Sequence, residues 1–375
     1  MTRAYFDNNA TTPVDPKVAQ FVTEHLNVFG NPSSLHQTGR AAKELLENAR
    51  NQLAIAIGAH YDQLLFTSSG SEGNNQVIQS VLFQTLLDKK PRHILLSPLE
   101  HSSIRISAQR LTQFGIDVSY FPVLPSGVID LEALPTLLKP HTALISVMMA
   151  NNETGILQPI QKLVERTQNH PCLVHTDAVQ AFGKYTVDVE GLGVDFLTLS
   201  AHKTYAPKGV GVLYTKNHKQ LHALIAGSSH EKELRAGTEN VVFNAAFGFA
   251  STLFEPDFNQ AYFLAHYKTM QNELTLLCPS AVFHSNPQIG LPNTLCVGFP
   301  GFNGQSIAMN CDLEGIDVST GSACSSGSIE PSSVLAAMGV SDTLNTSTIR
   351  ISMGRFTSDK DIQKLLVVLR SVLKA

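Results

Sequence analysis

Short apolar runs alternate along this chain with stretches in which apolar residues recur every three or four positions. That is the pattern of strands joined by crossover helices. Candidate strands fall at 64–67, 93–97, 117–121, 143–148, 173–176, 195–199 and 210–214. Between 36 and 57, Leu45, Leu46, Ala49, Leu53 and Ile57 recur at helical spacing. A long helical stretch from Asn240 to about Cys278 leads away from this unit. Strands at 293–297 and 348–352 follow, with helices near 305–314 and 359–373. No internal repeat or low-complexity linker interrupts the order. The pattern predicts an α/β fold with a large, mostly parallel seven-stranded sheet over 15–255. A smaller α+β unit is expected from 1–14 together with 256–375.

Composition agrees with a folded globular chain. The 375 residues are 43% apolar and 15% charged, enough for two units and a substantial core. The net charge of −4 offers no electrostatic footprint for nucleic acid. No apolar run has signal-peptide or membrane-span character, so no membrane partner is expected. Five cysteines, Cys172, Cys278, Cys296, Cys311 and Cys324, include no C-x-x-C pair. Reduced thiols in a cytoplasmic protein are therefore expected, and neither a disulfide framework nor a metal site.

The chemistry concentrates where apolar runs end. One run leads into Ser200-Ala201-His202-Lys203, and an earlier one ends in His175-Thr176-Asp177-Ala178-Val179-Gln180. Alone, such a lysine or aspartate would be a surface or helix-capping residue. Together they are what holds pyridoxal phosphate: the lysine amine forms a Schiff base with its aldehyde, and the aspartate keeps the pyridine nitrogen protonated. The segment from Ser68 to Asn75, containing Gly70 and Ser71, follows a strand and opens a helical pattern. Backbone N–H groups and a helix N-terminus there suit a phosphate, with Ser200 and His202 as further contacts. His101 follows the strand at 93–97, where open α/β sheets bind ligands, and an imidazole there can stack on a cofactor ring and move protons.

Asn152, in Asn151-Asn152-Glu153-Thr154-Gly155, can present an amide to cofactor and substrate. Arg235 and Arg350 each offer a planar fork for an amino-acid carboxylate, and the strand-like setting of Arg350 favours it. Cys324 lies in a run of small residues, Ser319 to Ser328, which predicts an exposed, reactive thiol. Cys172 and Cys296 read instead as inert core residues.

These motifs, with Tyr5 to Pro13, Gly30 to His36, Arg235 to Asn240, Gly321 to Cys324 and Glu330-Pro331-Ser332, match a family nearly end to end. The chain resembles the pyridoxal-phosphate-dependent cysteine desulfurases of the class V aminotransferase group. The resemblance implies the type I fold of pyridoxal-phosphate-dependent transferases. It also implies a homodimer in which Thr238 reaches the second copy's cofactor phosphate. Lys203 corresponds to the Schiff-base lysine, His101 to the ring-stacking acid/base, and Asp177 to the pyridine partner. Gln180 matches the phenolic-oxygen contact, and Gly70, Ser71, Ser200 and His202 the phosphate contacts. Asn152 and Arg350 resemble the substrate-carboxylate site, and Cys324 the persulfide-bearing nucleophile. The implied reaction turns L-cysteine into L-alanine and passes the sulfur to an acceptor protein for iron–sulfur clusters or thiolation.

Three departures stand out. Ser71 replaces a frequent threonine, Ala206 replaces a glycine, and the loop from Gly227 to Glu231 lacks the usual glycine-glutamine pattern. The chain also lacks the longer tail by which housekeeping members dock a scaffold, so that partner is not expected. Two other readings stay open at this point. One is a selenocysteine lyase or aminotransferase of the same fold, and the other an inactive cofactor-binding partner protein.

Overall fold

The computed structural model describes residues 3–254, 260–320 and 331–374. In chain order the strands are β1 (Ala4–Tyr5), β2 (Leu64–Thr67), β3 (His93–Leu96), β4 (Asp117–Tyr120), β5 (Thr142–Ser146), β6 (Leu173–Asp177) and β7 (Phe196–Ser200). They continue with β8 (Gly211–Thr215), β9 (Val282–Phe283), β10 (Thr294–Gly298), β11 (Ile316–Asp317), β12 (Ser319–Thr320) and β13 (Thr348–Ser352).

Seven strands form one sheet in the order β2-β8-β7-β6-β5-β3-β4. All seven sequence-predicted strands are in it. β3, β4, β5, β6 and β7 pair in parallel, while β8 pairs antiparallel with both β7 and β2. The link from β7 to β8 is too short for a parallel crossover, which needs a dozen or more residues. Two successive reversals leave β2 running with β7. The C-terminal ends of β2, β3, β5, β6 and β7 therefore open on one edge, where ligands bind in such sheets.

The helix Gln37–Ala56 turns Leu46, Ala49 and Leu53 inward, with Ile57 at its C-terminal cap, as its spacing predicts. These side chains are almost fully covered, each worth roughly 1.5–3 kcal/mol for a leucine or isoleucine. The expected long helix from Asn240 is two helices, Val241–Ser251 and Gln260–Leu277. The sequence places Pro256 between them, and a proline in a helix interior removes a hydrogen bond and clashes with the preceding turn.

A second sheet, β12-β13-β10-β9, is antiparallel throughout, and β1 pairs in parallel with β11. Phe6, Tyr267, Phe299, Ile349 and Leu365 pack into an apolar cluster of their own beneath it. The first strand thus closes onto residues more than 300 positions later, beyond the reach of any local pattern.

The altered loop near 227–234 has its own anchor. Glu231, Lys232 and Glu233 take left-handed backbone angles, φ 45°, 59° and 65°. Non-glycine residues pay for that conformation. Here the buried Glu231 carboxylate accepts from Arg50 Nη1 at 2.8 Å and Nη2 at 2.7 Å, and from the Phe66 N–H at 2.9 Å.

Candidate active site

A cavity of about 250 Å³ opens at the C-terminal edge of the large sheet. Gly70, Ser71, His101, Asn152, Asp177, Gln180, Ser200, His202, Lys203 and Arg350, all singled out from sequence, line it. Thr238 is exposed and is not among the lining residues. Cys324 lies outside the described residues.

Strand ends position most of these groups. Asp177 is the last residue of β6, and its Oδ1 accepts from the Val179 N–H at 3.0 Å. Its Oδ2 accepts from Asn74 Nδ2 at 2.7 Å, so both carboxylate oxygens are held. Lys203 ends a single turn, Ala201–Lys203, directly after β7. Its Nζ donates to the carbonyls of Asn9 at 2.7 Å and Ala10 at 2.6 Å. The N-terminal segment is clamped over this turn: the Thr12 N–H and hydroxyl both donate to the His202 carbonyl.

After β2, Ser69 caps the helix Gly70–Asp88 by accepting from the Glu72 N–H at 3.1 Å. A Cβ at Gly70 would stand 3.1 Å from Val179 Cγ2 and 3.4 Å from Ser200 Cβ, so a larger residue would have to push these side chains back by a few tenths of an ångström. Arg235, the alternative carboxylate binder, is paired with Glu72 at 2.9 Å. Burial opposes the charge on Glu72, but Arg235 and the Ser68 hydroxyl and N–H outweigh it and hold the carboxyl below its usual range. Arg235 therefore braces the helix start.

His101 caps the helix Ser102–Leu111, with Nδ1 3.2 Å from the Ser103 nitrogen and 2.8 Å from its Oγ. Burial pushes its imidazole below the ordinary value, with Lys203 and Arg105 adding to the shift and Asp177 opposing it. Burial, then Lys203 and Lys208, push His202 down to about 4. The neutral His202 ring meets Thr11 Oγ1 at 3.0 Å. Next to His101, the fully buried Glu100 is driven well above the carboxyl range by burial and then by Asp177.

Arg350 sits on β13, opposite Cys296 of β10 and Ser319 of β12. Nη1 donates to the Asn152 carbonyl at 3.0 Å and Nη2 to Asp7 Oδ1 at 2.7 Å. Its Nε is buried with no hydrogen-bond partner. The fork is fixed, as a strand position predicts, and part of its donor set is unused.

Sequence reasoning missed several lining or supporting groups. Asn9 and Ala10 contribute backbone carbonyls, which leave no signature in residue type. Asn74 was visible only as part of the Ser68–Asn75 segment. Lys184 donates to Gln180 Oε1 at 2.9 Å, and its spacing of four residues was the available signal. Burial, then Lys203 and Arg350, push its amine down to about 7.

The described cysteines, Cys172, Cys278, Cys296 and Cys311, are free and buried, and none lines the cavity. Burial pushes Cys172 and Cys311 up to about 11 and raises Cys296 further. Cys172 and Cys296 thus lie in the core, as expected of them. Among the described residues no cluster of three or more His, Cys, Asp or Glu side chains could hold a metal ion. No described helix is long and apolar enough to cross a membrane.

Comparison with known proteins agrees over nearly the whole chain. The family model described as aminotransferase class-V matches residues 4–365. The chain is 40% identical to cysteine desulfurase IscS of Dictyoglomus turgidum, covering 99% of this chain and 94% of that relative. A solved NifS-like protein superposes with a TM-score of 0.93 at 33% identity, each chain covered completely. A structure of SspA in complex with cysteine has a TM-score of 0.83 at 31% identity, covering 95% of this chain and all of that one.

Proposed function

The chain belongs to the class-V aminotransferase family, and from that premise we propose that it is a pyridoxal-phosphate-dependent cysteine desulfurase. It converts L-cysteine to L-alanine and takes the sulfur as a persulfide on Cys324, for delivery to an acceptor protein. The observation that carries this reading is the single cavity that gathers Lys203, Asp177, His101, Gln180 and Arg350.

The cavity fits the cofactor in three respects. The helix start at Ser69, Gly70 and Ser71 lines the cavity, and the backbone N–H groups of a helix N-terminus suit a phosphate. The Asp177 carboxylate is fixed in the same cavity, and Lys203 follows directly on the adjacent strand. Lys203 would hold the aldehyde carbon, Asp177 the pyridine nitrogen and Gln180 the phenolic oxygen. Gly70, Ser71, Ser200 and His202 would hold the phosphate, and His101 would lie on the ring. When bound, pyridoxal phosphate supplies an electron sink for bonds at the substrate Cα.

The protein's own groups do the rest. Arg350, locked between Asn152 and Asp7, binds the cysteine carboxylate through its donors, with Asn152 beside it. The two carbonyls of Asn9 and Ala10 hold the Lys203 amine in one place. Asp177 keeps its orientation through Val179 and Asn74, so its charge stays aimed at one point. Cys324 receives the sulfur, a task for which Cys172, Cys296 and Cys311 are unsuited because burial disfavours their thiolates, while Cys278 does not line the cavity.

The reading includes a cytoplasmic homodimer. The exposed Thr238 would serve the cavity of the second copy, which accounts for its absence from its own. It also includes the division into a large unit over 15–255 and a small one from 1–14 with 256–375, supported by the apolar cluster that draws Ala4 and Phe6 together with residues from Tyr267 to Leu373.

The test is product formation by the purified protein loaded with pyridoxal phosphate and given L-cysteine and a reductant. Equimolar alanine and sulfide are expected. A protein that releases pyruvate, or neither product, would not be a desulfurase. Release restricted to selenocysteine would favour the lyase.

A further inference from the structure

Three side chains of the cavity wall, Asp177, Asn74 and His101, are joined through Ser103 behind them into one directed set of hydrogen bonds. Asp177 Oδ2 lies 2.7 Å from Asn74 Nδ2 and can only be served there by the amide NH2 group. An amide turned the other way would set two oxygens against each other. The same Nδ2 lies 3.0 Å from Ser103 Oγ. The serine oxygen thus accepts from Asn74, and its own hydrogen is left for His101 Nδ1 at 2.8 Å. A second donor meets the same ring nitrogen, the Ser103 backbone N–H at 3.2 Å. A backbone N–H has no acceptor capacity, so this longer contact also favours a lone pair on Nδ1.

A neutral imidazole carries one N–H, and which nitrogen holds it is set by the partner of the other. We propose that Ser103 and Asn74 are positioning residues that hold His101 as the Nε2–H tautomer, making it a hydrogen-bond donor in the resting enzyme. The inference rests on the assignment of His101 and Asp177 to the cofactor cavity and deepens it. Asp177 acts at two places through this chain of contacts. It holds its own site and, through the orientation of Asn74, sets the hydroxyl direction of Ser103. Adding a proton to His101 would place a hydrogen on Nδ1 opposite the Ser103 N–H. The downward shift of this imidazole, caused first by its burial, acts in the same sense.

The consequence is a limit on His101. In the resting state it cannot take a proton at Nε2, because that position is already occupied. It offers that hydrogen to an acceptor in the cavity, and the basic group of the resting site is sought elsewhere.

The tautomer is measurable without turnover. The full chain, loaded with pyridoxal phosphate and labelled with 15N-histidine, is studied near neutral pH by two-bond proton–nitrogen correlation. His101→Gln identifies the resonances by their loss. The expected wild-type pattern has Nδ1 as the unprotonated nitrogen and Nε2 as the protonated one. Ser103→Ala removes one of two donors to Nδ1 and should move both nitrogen resonances toward each other, as a second tautomer becomes populated. Ser103→Thr keeps a hydroxyl and should restore the wild-type pattern. Asn74→Ala should produce a shift of the same sign as Ser103→Ala. A wild-type ring protonated on Nδ1, or a Ser103→Ala spectrum identical to wild type, overturns the proposal. No cysteine is added, so this result is independent of whether the protein desulfurates cysteine.

Discussion

Lys184 Nζ lies 2.9 Å from Gln180 Oε1, and this contact decides which end of the Gln180 amide faces the cavity. Lys184 donates to this oxygen while the Asn9 carbonyl on the other side of the amide only accepts, so the amide oxygen turns to Lys184. The NH2 end is then left for the Asn9 carbonyl, 2.8 Å away, on the side where Lys203 also contacts that oxygen. Lys184 also reaches Asn9 Oδ1 at 3.3 Å, tying the N-terminal segment to the same point.

Replacing Lys184 with methionine keeps most of the side-chain volume and removes the donor. The Gln180 amide is then held by the Asn9 carbonyl alone, so its NH2 end is less firmly set against the phenolic oxygen it is proposed to serve. Loss of one such hydrogen bond is worth about 0.5–1.5 kcal/mol, or roughly 2- to 10-fold in kcat/KM. The absorption maximum of the bound cofactor should shift as well, and Lys184→Arg should recover part of both effects. Unchanged spectra and kinetics in the methionine variant would remove Lys184 from this role.

Arg350 makes a different kind of contribution. Its guanidinium is nearly inaccessible, with Asp7 and the Asn152 carbonyl taking two of its nitrogens. A partly desolvated charge pair with a substrate carboxylate should be worth on the order of 2–4 kcal/mol. Arg350→Ala should therefore lower kcat/KM by roughly 30- to 1,000-fold while pyridoxal phosphate remains bound. Arg350→Lys should recover little, because an ammonium cannot reproduce the planar fork. Full kcat/KM in either variant would place the carboxylate elsewhere.

The strand ends explain why so much of this site was legible in the sequence. Asp177, His101, Ser200 and Lys203 each follow an apolar run, and parallel topology carries those run ends to one edge. Asp7 was not legible as the partner of Arg350, because 343 residues separate them and nothing local links them. The carbonyls of Asn9 and Ala10 were invisible for another reason: any residue type supplies a carbonyl. Short strands such as Ala4–Tyr5 and Ile316–Asp317 are too brief to show alternation and exist because they pair with each other. The helix break after Ser251 was available in Pro256 but was overridden by the apolar pattern on both sides.

Stability should fall on the acid side, and His175 gives the sign. It is fully buried on β6, with Nδ1 2.8 Å from Ser146 Oγ and Nε2 3.0 Å from Thr198 Oγ1. Burial pushes its imidazole down to about 3. An unfolded histidine takes its proton near 6.5, so between these values the unfolded chain binds more protons than the folded one. The contribution is full above about pH 6.5 and is lost, at up to about 1.4 kcal/mol per unit, as pH falls toward the folded value. Burial also lowers His93, to about 4, so one substitution removes only part of the slope. His175→Gln should flatten the acid limb of urea midpoints measured against pH. An equal slope in both proteins would mean that His175 is not held neutral.

The most direct test of the central claim follows the sulfur atom. The wild-type protein, loaded with pyridoxal phosphate and given less than one equivalent of L-cysteine without reductant, is digested and its cysteine peptides are weighed. The account predicts one additional sulfur on the peptide carrying Cys324, alanine in equal amount, and no addition at Cys172, Cys278, Cys296 or Cys311. Cys324→Ser should bind cysteine yet release no alanine, because a hydroxyl is a far weaker nucleophile toward sulfur than a thiolate. Alanine formed with Cys324 unmodified, or full turnover by Cys324→Ser, would contradict it.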